Sequence, residues 1–325
     1  MFDADLVLEG GGVKGIGLVG AISVLEEHGY RFHRVGGTSA GAIVGSLVAA
    51  GMRSEQMQQV MRSVDYTRFR DPNLLDHFGP IGQALSVLLH NGIYRGDYLR
   101  AWLAEQLAGY GVHTFKDLTL DDPGSSLPPD RSYKLVVMAS NVSDGYLARL
   151  PWDYRKVGVA SDEQSVVDAV RMSMSIPFFY QPFSLQGRCF VDGGMLSNFP
   201  VDVFDRTDGR APRWPTFGIK LSAKPPPDGP RAPVGVGGPL GLLKSMVTTM
   251  TSFYDRMHLD DPAVIDRTIF VDCGQVQATD FDLDQATQDM LFDNGRRAAT
   301  KFLKTWNFDT YVRTHRSETL AAQRA

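Results

Sequence analysis

The sequence predicts an α/β fold with three layers: a mostly parallel central sheet with helices on both faces. Three observations predict it. An apolar run, Leu6 to Leu8, halts at Glu9 and a block of glycines before a helical pattern begins; strand, glycine turn and helix recur from Phe32 to Gly51; and Phe190-Val191 again runs into glycines at Asp192-Gly193-Gly194. Short continuous apolar runs are the mark of strands buried in parallel sheets, and consecutive strand-to-helix units place helices on the sheet faces.

In order along the chain, the first helix runs from Ile16 through Leu25 and is closed by His28 and Gly29. A second strand around Phe32 to Val35 enters Gly36-Gly37-Thr38-Ser39-Ala40-Gly41, and a helix of small residues continues to Gly51. Helices are expected at 54 to 63, around 81 to 90 and from Asp97 to Leu107, then a strand at Lys134 to Ala139. A helix from Val166 to Met172 is stopped by Ile176-Pro177, because the residue before proline is pushed out of the helical region. Thr216 to Leu221 and Thr268 to Val271 supply two further strands. Residues 222 to 241 hold six prolines and five glycines and read as an extended connection; the strand and two helices that follow are expected to finish the same sheet, in one unit of 325 residues.

Composition narrows the function. Thirty-three basic against 37 acidic side chains, with no long block of either sign, argue against nucleic acid. Two isolated cysteines, Cys189 and Cys273, give neither a disulfide framework nor a cysteine-rich metal site, and no metal or cofactor is expected. No run of 18 apolar residues exists and the start, Met-Phe-Asp-Ala-Asp, lacks a basic signal-peptide region, so a cytoplasmic protein able to work at a membrane surface is expected.

Gly37-Thr38-Ser39-Ala40-Gly41 has the form of a nucleophile elbow, a sharp strand-to-helix turn that exposes a serine oxygen, with glycines where the backbone folds too tightly for side chains. A serine cap at an ordinary turn is the plainer reading. Gly10-Gly11-Gly12-Val13-Lys14-Gly15 fits two patterns. As a dinucleotide fingerprint it needs an acidic residue about 20 positions on, and residues 30 to 36 contain none. As an oxyanion loop, the N–H groups of Gly10, Gly11, Gly12, Lys14 and Gly15 would face a tetrahedral intermediate formed at Ser39. A serine nucleophile needs a base, yet none of the seven histidines sits at an apolar strand end followed by a glycine turn; His33 lies too early on its strand. Asp192 occupies such a place, and partial burial would lift its carboxyl toward neutrality.

The ordered set Gly-Gly-Gly-x-Lys-Gly, Gly-x-Ser-x-Gly and Asp-Gly-Gly, with Ser173-Met174-Ser175-Ile176-Pro177 before the last, resembles the patatin-like phospholipase family over about residues 5 to 205. The resemblance implies a Ser39/Asp192 catalytic dyad without histidine, elbow glycines Gly37 and Gly41, a base loop of Gly193 and Gly194, and hydrolysis of phospholipid or lysophospholipid acyl esters without a metal. Lys14 stands where members often carry arginine, and Asp192-Gly193-Gly194 varies the common Asp-Gly-Ala. The rival outcomes are an acyltransferase or thioesterase using the same dyad, and a catalytically idle lipid-binding protein. For the lipid itself, a leucine-rich stretch from Leu74 to Leu89, within a possible helical cap at 70 to 110, and a stripe of Leu243, Met246, Met250, Phe253 and Met257 are candidates, the stripe reading equally as core.

Overall fold

The computed structural model describes residues 1–71, 91–222, 249 and 261–316. The helix expected at 81 to 90, the Leu74–Leu89 stretch, the methionine-bearing stripe and nearly all of the 222–241 connection lie outside the described residues.

Ten strands and eight α-helices are described: β1 (Phe2–Leu8), α1 (Ile16–Glu27), β2 (Tyr30–Thr38), α2 (Ala40–Ala49), α3 (Ser54–Ser63), β3 (Gly92–Tyr94), α4 (Asp97–Ala108), β4 (Leu135–Asn141), β5 (Tyr146–Leu150), α5 (Val166–Ser173), β6 (Phe178–Tyr180), β7 (Phe183–Leu185), β8 (Arg188–Asp192), β9 (Thr216–Lys220), α6 (Pro262–Ile265), β10 (Thr268–Phe270), α7 (Gln285–Leu303) and α8 (Phe308–His315). The main sheet has the order β10-β9-β1-β2-β4-β8-β7, with β5 also on β4. From β10 to β4 every pairing is parallel; β5, β8 and β7 join antiparallel. The expected three-layer, mostly parallel α/β fold is therefore present; β8 was announced by Phe190-Val191, whereas β5 and β7 are additions that the apolar runs did not announce. β5 and β7 have polar or half-exposed positions, as strands with one wet face do.

The core forms because β1 and β4 are buried almost throughout and α2 is built of Ala, Gly, Val, Ile and Leu. Small residues let α2 lie close to the sheet, where Gly45 packs on Val35, Leu135 and Leu8. The alternate residue of β2, Gly36, meets Val203 and Phe204 on the opposite face. The C-terminal helix α7 crosses α1 backbone to backbone: a Cβ on Gly20 would strike the Phe292 carbonyl, and one on Gly295 the Gly17 carbonyl.

Candidate active site

The positions of Ser39 and Asp192 follow from the pairing of β4. β5 occupies one edge of β4 from Val137 to Asn141. On the other edge, β2 pairs with Leu135 to Met138, ending with Thr38 opposite Met138, and β8 pairs with Ala139 to Asn141, ending with Asp192 opposite Ala139. Because β2 is parallel and β8 antiparallel to β4, their C-terminal ends meet head to head. Ser39, one residue past β2, and Asp192, the last of β8, are thus brought together by consecutive residues of a third strand.

Ser39 adopts φ 53°, ψ −122°, a left-handed conformation that costs a residue with a Cβ about 1–3 kcal/mol and turns its side chain out of the strand direction. The turn needs its glycines: a Cβ on Gly37 would fall on the Gly41 carbonyl, and one on Gly41 on the carbonyl of Leu8. The Ser39 N–H donates to Ser173 Oγ at 2.8 Å, and its hydroxyl donates to Met174 Sδ at 3.3 Å. The next residue, Ser175, accepts the Asp192 N–H on its carbonyl at 2.9 Å. The Ser173-Met174-Ser175 run after α5 therefore holds both partners. It is itself held by buried Arg171, which donates to Ser175 Oγ and to the carbonyls of Arg95 and Gln181.

Asp192 is buried, and one carboxylate oxygen, Oδ1, accepts the Gly194 N–H at 2.7 Å. The other, Oδ2, has no hydrogen-bond partner among the described residues. Burial pushes the carboxyl up to about 6, against smaller opposing effects of the Gly194 N–H and the neighbouring Ser39 hydroxyl. Ser39 is thus close enough to influence the carboxyl although its hydroxyl is turned to sulfur, which leaves Oδ2 as the open acceptor beside it.

The glycine loop packs against the same turn, with Gly10 so close to Ser39 that an added Cβ would lie 3.0 Å from the Ser39 Cβ. Its N–H groups are not equivalent. Gly10 N–H donates to the Asn198 carbonyl, Val13 N–H to Ala278 and Lys14 N–H to Gly11, whereas those of Gly11 and Gly12 have no partner among the described residues. Gly15 serves by its size, packing on Ala40. Gly12 has φ 57° and would drive a Cβ into the Ala278 carbonyl. Behind the loop Glu9 and Lys220, both buried, form an ion pair, and Glu9 also accepts from the Leu221 N–H and from Asn198 Nδ2. The Asn198, Glu9 and Lys220 network was missed by sequence reasoning. The signal was an acid and a base at the C-terminal ends of two strands that prove to be neighbours.

A narrow apolar cleft opens beside the turn. Gly12, Val13, Ala40, Ile43, Met174, Tyr66, Phe69, Leu99, Trp102 and Phe281 are among the residues that line it. Sequence reasoning did not join the aromatic ones into a site, because they come from three separate segments. His33, the nearest histidine in sequence, stands at the other end of β2 beside Asp122 and Trp214. No helix among the described residues is long and apolar enough to cross a membrane.

The patatin-like phospholipase family model matches residues 6–205, and the chain belongs to that family. It is 35% identical to the uncharacterized protein YqhO of Bacillus subtilis over 94% of this chain and 99% of that protein. It is 32% identical to the uncharacterized NTE family protein Rv2565 of Mycobacterium tuberculosis over 63% of this chain and 28% of that longer one. VipD from Legionella pneumophila has the same fold, with a TM-score of 0.52 at 16% identity, covering 93% of this chain and 67% of VipD.

Proposed function

We propose that the protein is a lipid acyl hydrolase that cleaves fatty-acyl esters of phospholipids or lysophospholipids through an acyl-serine intermediate. The observation that carries this reading is the pairing of a strained serine with a buried carboxylate whose free oxygen and raised pKa suit it to take a proton near neutrality. Ser39 swings its hydroxyl from Met174 to Asp192 Oδ2 and loses its proton there as Oγ attacks the acyl carbonyl. The N–H groups of Gly11 and Gly12, without partners among the described residues, receive the oxyanion, each donor worth on the order of 3 kcal/mol. The protonated Asp192 returns its proton to the leaving alcohol, then deprotonates the water that releases the fatty acid. The apolar cleft takes the acyl chain, and the enzyme works at a membrane or micelle surface in the cytoplasm.

The test is incubation of the pure protein with defined phospholipids, lysophospholipids and triacylglycerol, with products identified by mass, alongside fluorophosphonate labelling. Ser39→Ala should lose hydrolysis and labelling together; turnover retained in that variant overturns the assignment. Acyl transfer to an added alcohol or thiol in preference to water would make the protein a transferase with the same nucleophile.

A further inference from the structure

At the opposite end of the sheet from Ser39 a second, open cavity lies where β9 and β10 begin, beside Asp5 of β1 and Arg34 of β2. Arg34, Arg206, Arg210, Arg213, Arg267 and Arg316 all line it. Arg34 and Ser39 are five residues apart on an extended strand, about 16 Å, so this cavity is separate from the active-site cleft.

Two features distinguish it from a set of closed ion pairs. The first is charge. Arg34 is paired with Asp5, Arg267 and Arg316 share Asp205, Arg213 takes Asp122, and Arg206 and Arg210 share Asp208. Six guanidinium groups thus share four direct carboxylate partners, with Asp202 a further acid near Arg267, in a chain whose formal charge is −4. Arg210 reaches Asp208 only at 4.0 Å and is 72% exposed, so its charge is barely engaged. The second is unmet hydrogen bonding. Arg267 is 4% exposed and gives both Nη atoms to Asp205, but among the described residues its Nε has no hydrogen-bond partner; the hydroxyl of Tyr311, 7% exposed, on the same wall and beside Arg316, has none there either. A buried donor without an acceptor has given up its water for nothing. Both residues line the cavity, with the two donor atoms closed off behind its surface.

We propose that this cavity binds a phosphate group. Donors from β10's approach, from α8 and from the arginines of the 206–213 turn come from different directions, which suits the several oxygens of a tetrahedral oxyanion better than the two of a carboxylate. The bound anion takes the Arg267 Nε–H and the Tyr311 hydroxyl on its inner oxygens, with Arg210, Arg213 and Arg316 around its outer ones.

The experiment is a titration of the whole protein with inorganic phosphate at constant ionic strength, read by thermal unfolding. A saturable rise in Tm that chloride does not reproduce is expected. Tyr311→Phe keeps the ring and removes only the hydroxyl, and Arg210→Gln alters an exposed side chain, so both variants should fold and keep ester hydrolysis; each should weaken phosphate binding about tenfold. No saturable rise, or a rise unchanged in both variants, overturns the site. Flotation with phosphatidylcholine vesicles, with and without a phosphoinositide, identifies the source: phosphoinositide-dependent flotation that free phosphate competes away assigns a lipid headgroup, and phosphate binding without flotation assigns a soluble phosphate.

Discussion

Asn198 and Gly10 exchange hydrogen bonds: the Gly10 N–H donates to the Asn198 carbonyl at 3.1 Å, and Asn198 Nδ2 donates to the Gly10 carbonyl at 3.2 Å. The same side chain reaches Glu9 and packs on Gly194, so one residue fastens the glycine loop to the turn that carries Asp192. Asn198→Ala removes the side-chain half of this exchange. It should lower kcat ten- to a hundredfold with little change in KM, since a loosened oxyanion loop is felt in the transition state. Steady-state kinetics on a soluble ester separates the two; a KM effect alone would mean that Asn198 acts on substrate binding instead.

Asp192 must be ionised to take a proton, so activity should rise with pH through a midpoint near 6 and level off above it. Stability should run the other way. The folded carboxyl holds its proton up to about 6 while the unfolded one loses it near 3.8, so the folded state binds more protons between those values and stability falls as pH rises through that window. The cost at pH 8 is on the order of 3 kcal/mol, from about two pK units. Asp192→Asn removes it but buries an unpaired amide N–H, and should be inactive yet about 1–2 kcal/mol more stable than the parent at pH 8. Below pH 4 that advantage should vanish. Denaturant unfolding at the two pH values checks both statements.

The backbone of Ser39 makes a parallel case. Ser39→Gly relieves φ 53° and should raise stability by about 1 kcal/mol while abolishing turnover. Ser39→Ala is equally inactive but keeps the strain. Equal stabilities for the two variants would show that the elbow is relaxed.

Ile43 lies one turn of α2 beyond Ser39 and lines the cleft. If the acyl chain lies there, each added methylene contributes about 0.8 kcal/mol, roughly fourfold in kcat/KM, until the cleft is full. Ile43→Phe should move the optimum to shorter acyl chains without reducing the rate on the shortest esters. A series of p-nitrophenyl esters gives the profile.

The parallel half of the fold was legible because β1 and β4 are buried on both faces and show it as continuous apolar runs, and because β1 and β2 run into glycines at their C-terminal ends. β5, β7 and the small β3–β6 pair were not, since half-exposed strands of three to five residues carry little pattern. Ser39 and Asp192 were readable as strand-end residues beside glycines. Which loop N–H groups are unengaged was not, because that depends on Asn198 and Ala278, distant residues whose carbonyls take up the N–H groups of Gly10 and Val13. The aromatic wall of the cleft was not legible for a similar reason: Tyr66, Phe69, Trp102 and Phe281 converge only when the turn after α3, α4 and the segment before α7 pack together.

The head-to-head meeting of β2 and β8 makes β4 a ruler. Met138 and Ala139 set the gap between two residues that reach them from opposite directions, 153 positions apart in the chain. A side-chain substitution on β4 leaves that spacing intact, whereas a slip of one residue in either neighbour would turn Ser39 or Asp192 to the wrong side of the sheet. The two arms can therefore accept changes of length and sequence in everything between them, so long as each is still stopped at its own mark on the same edge.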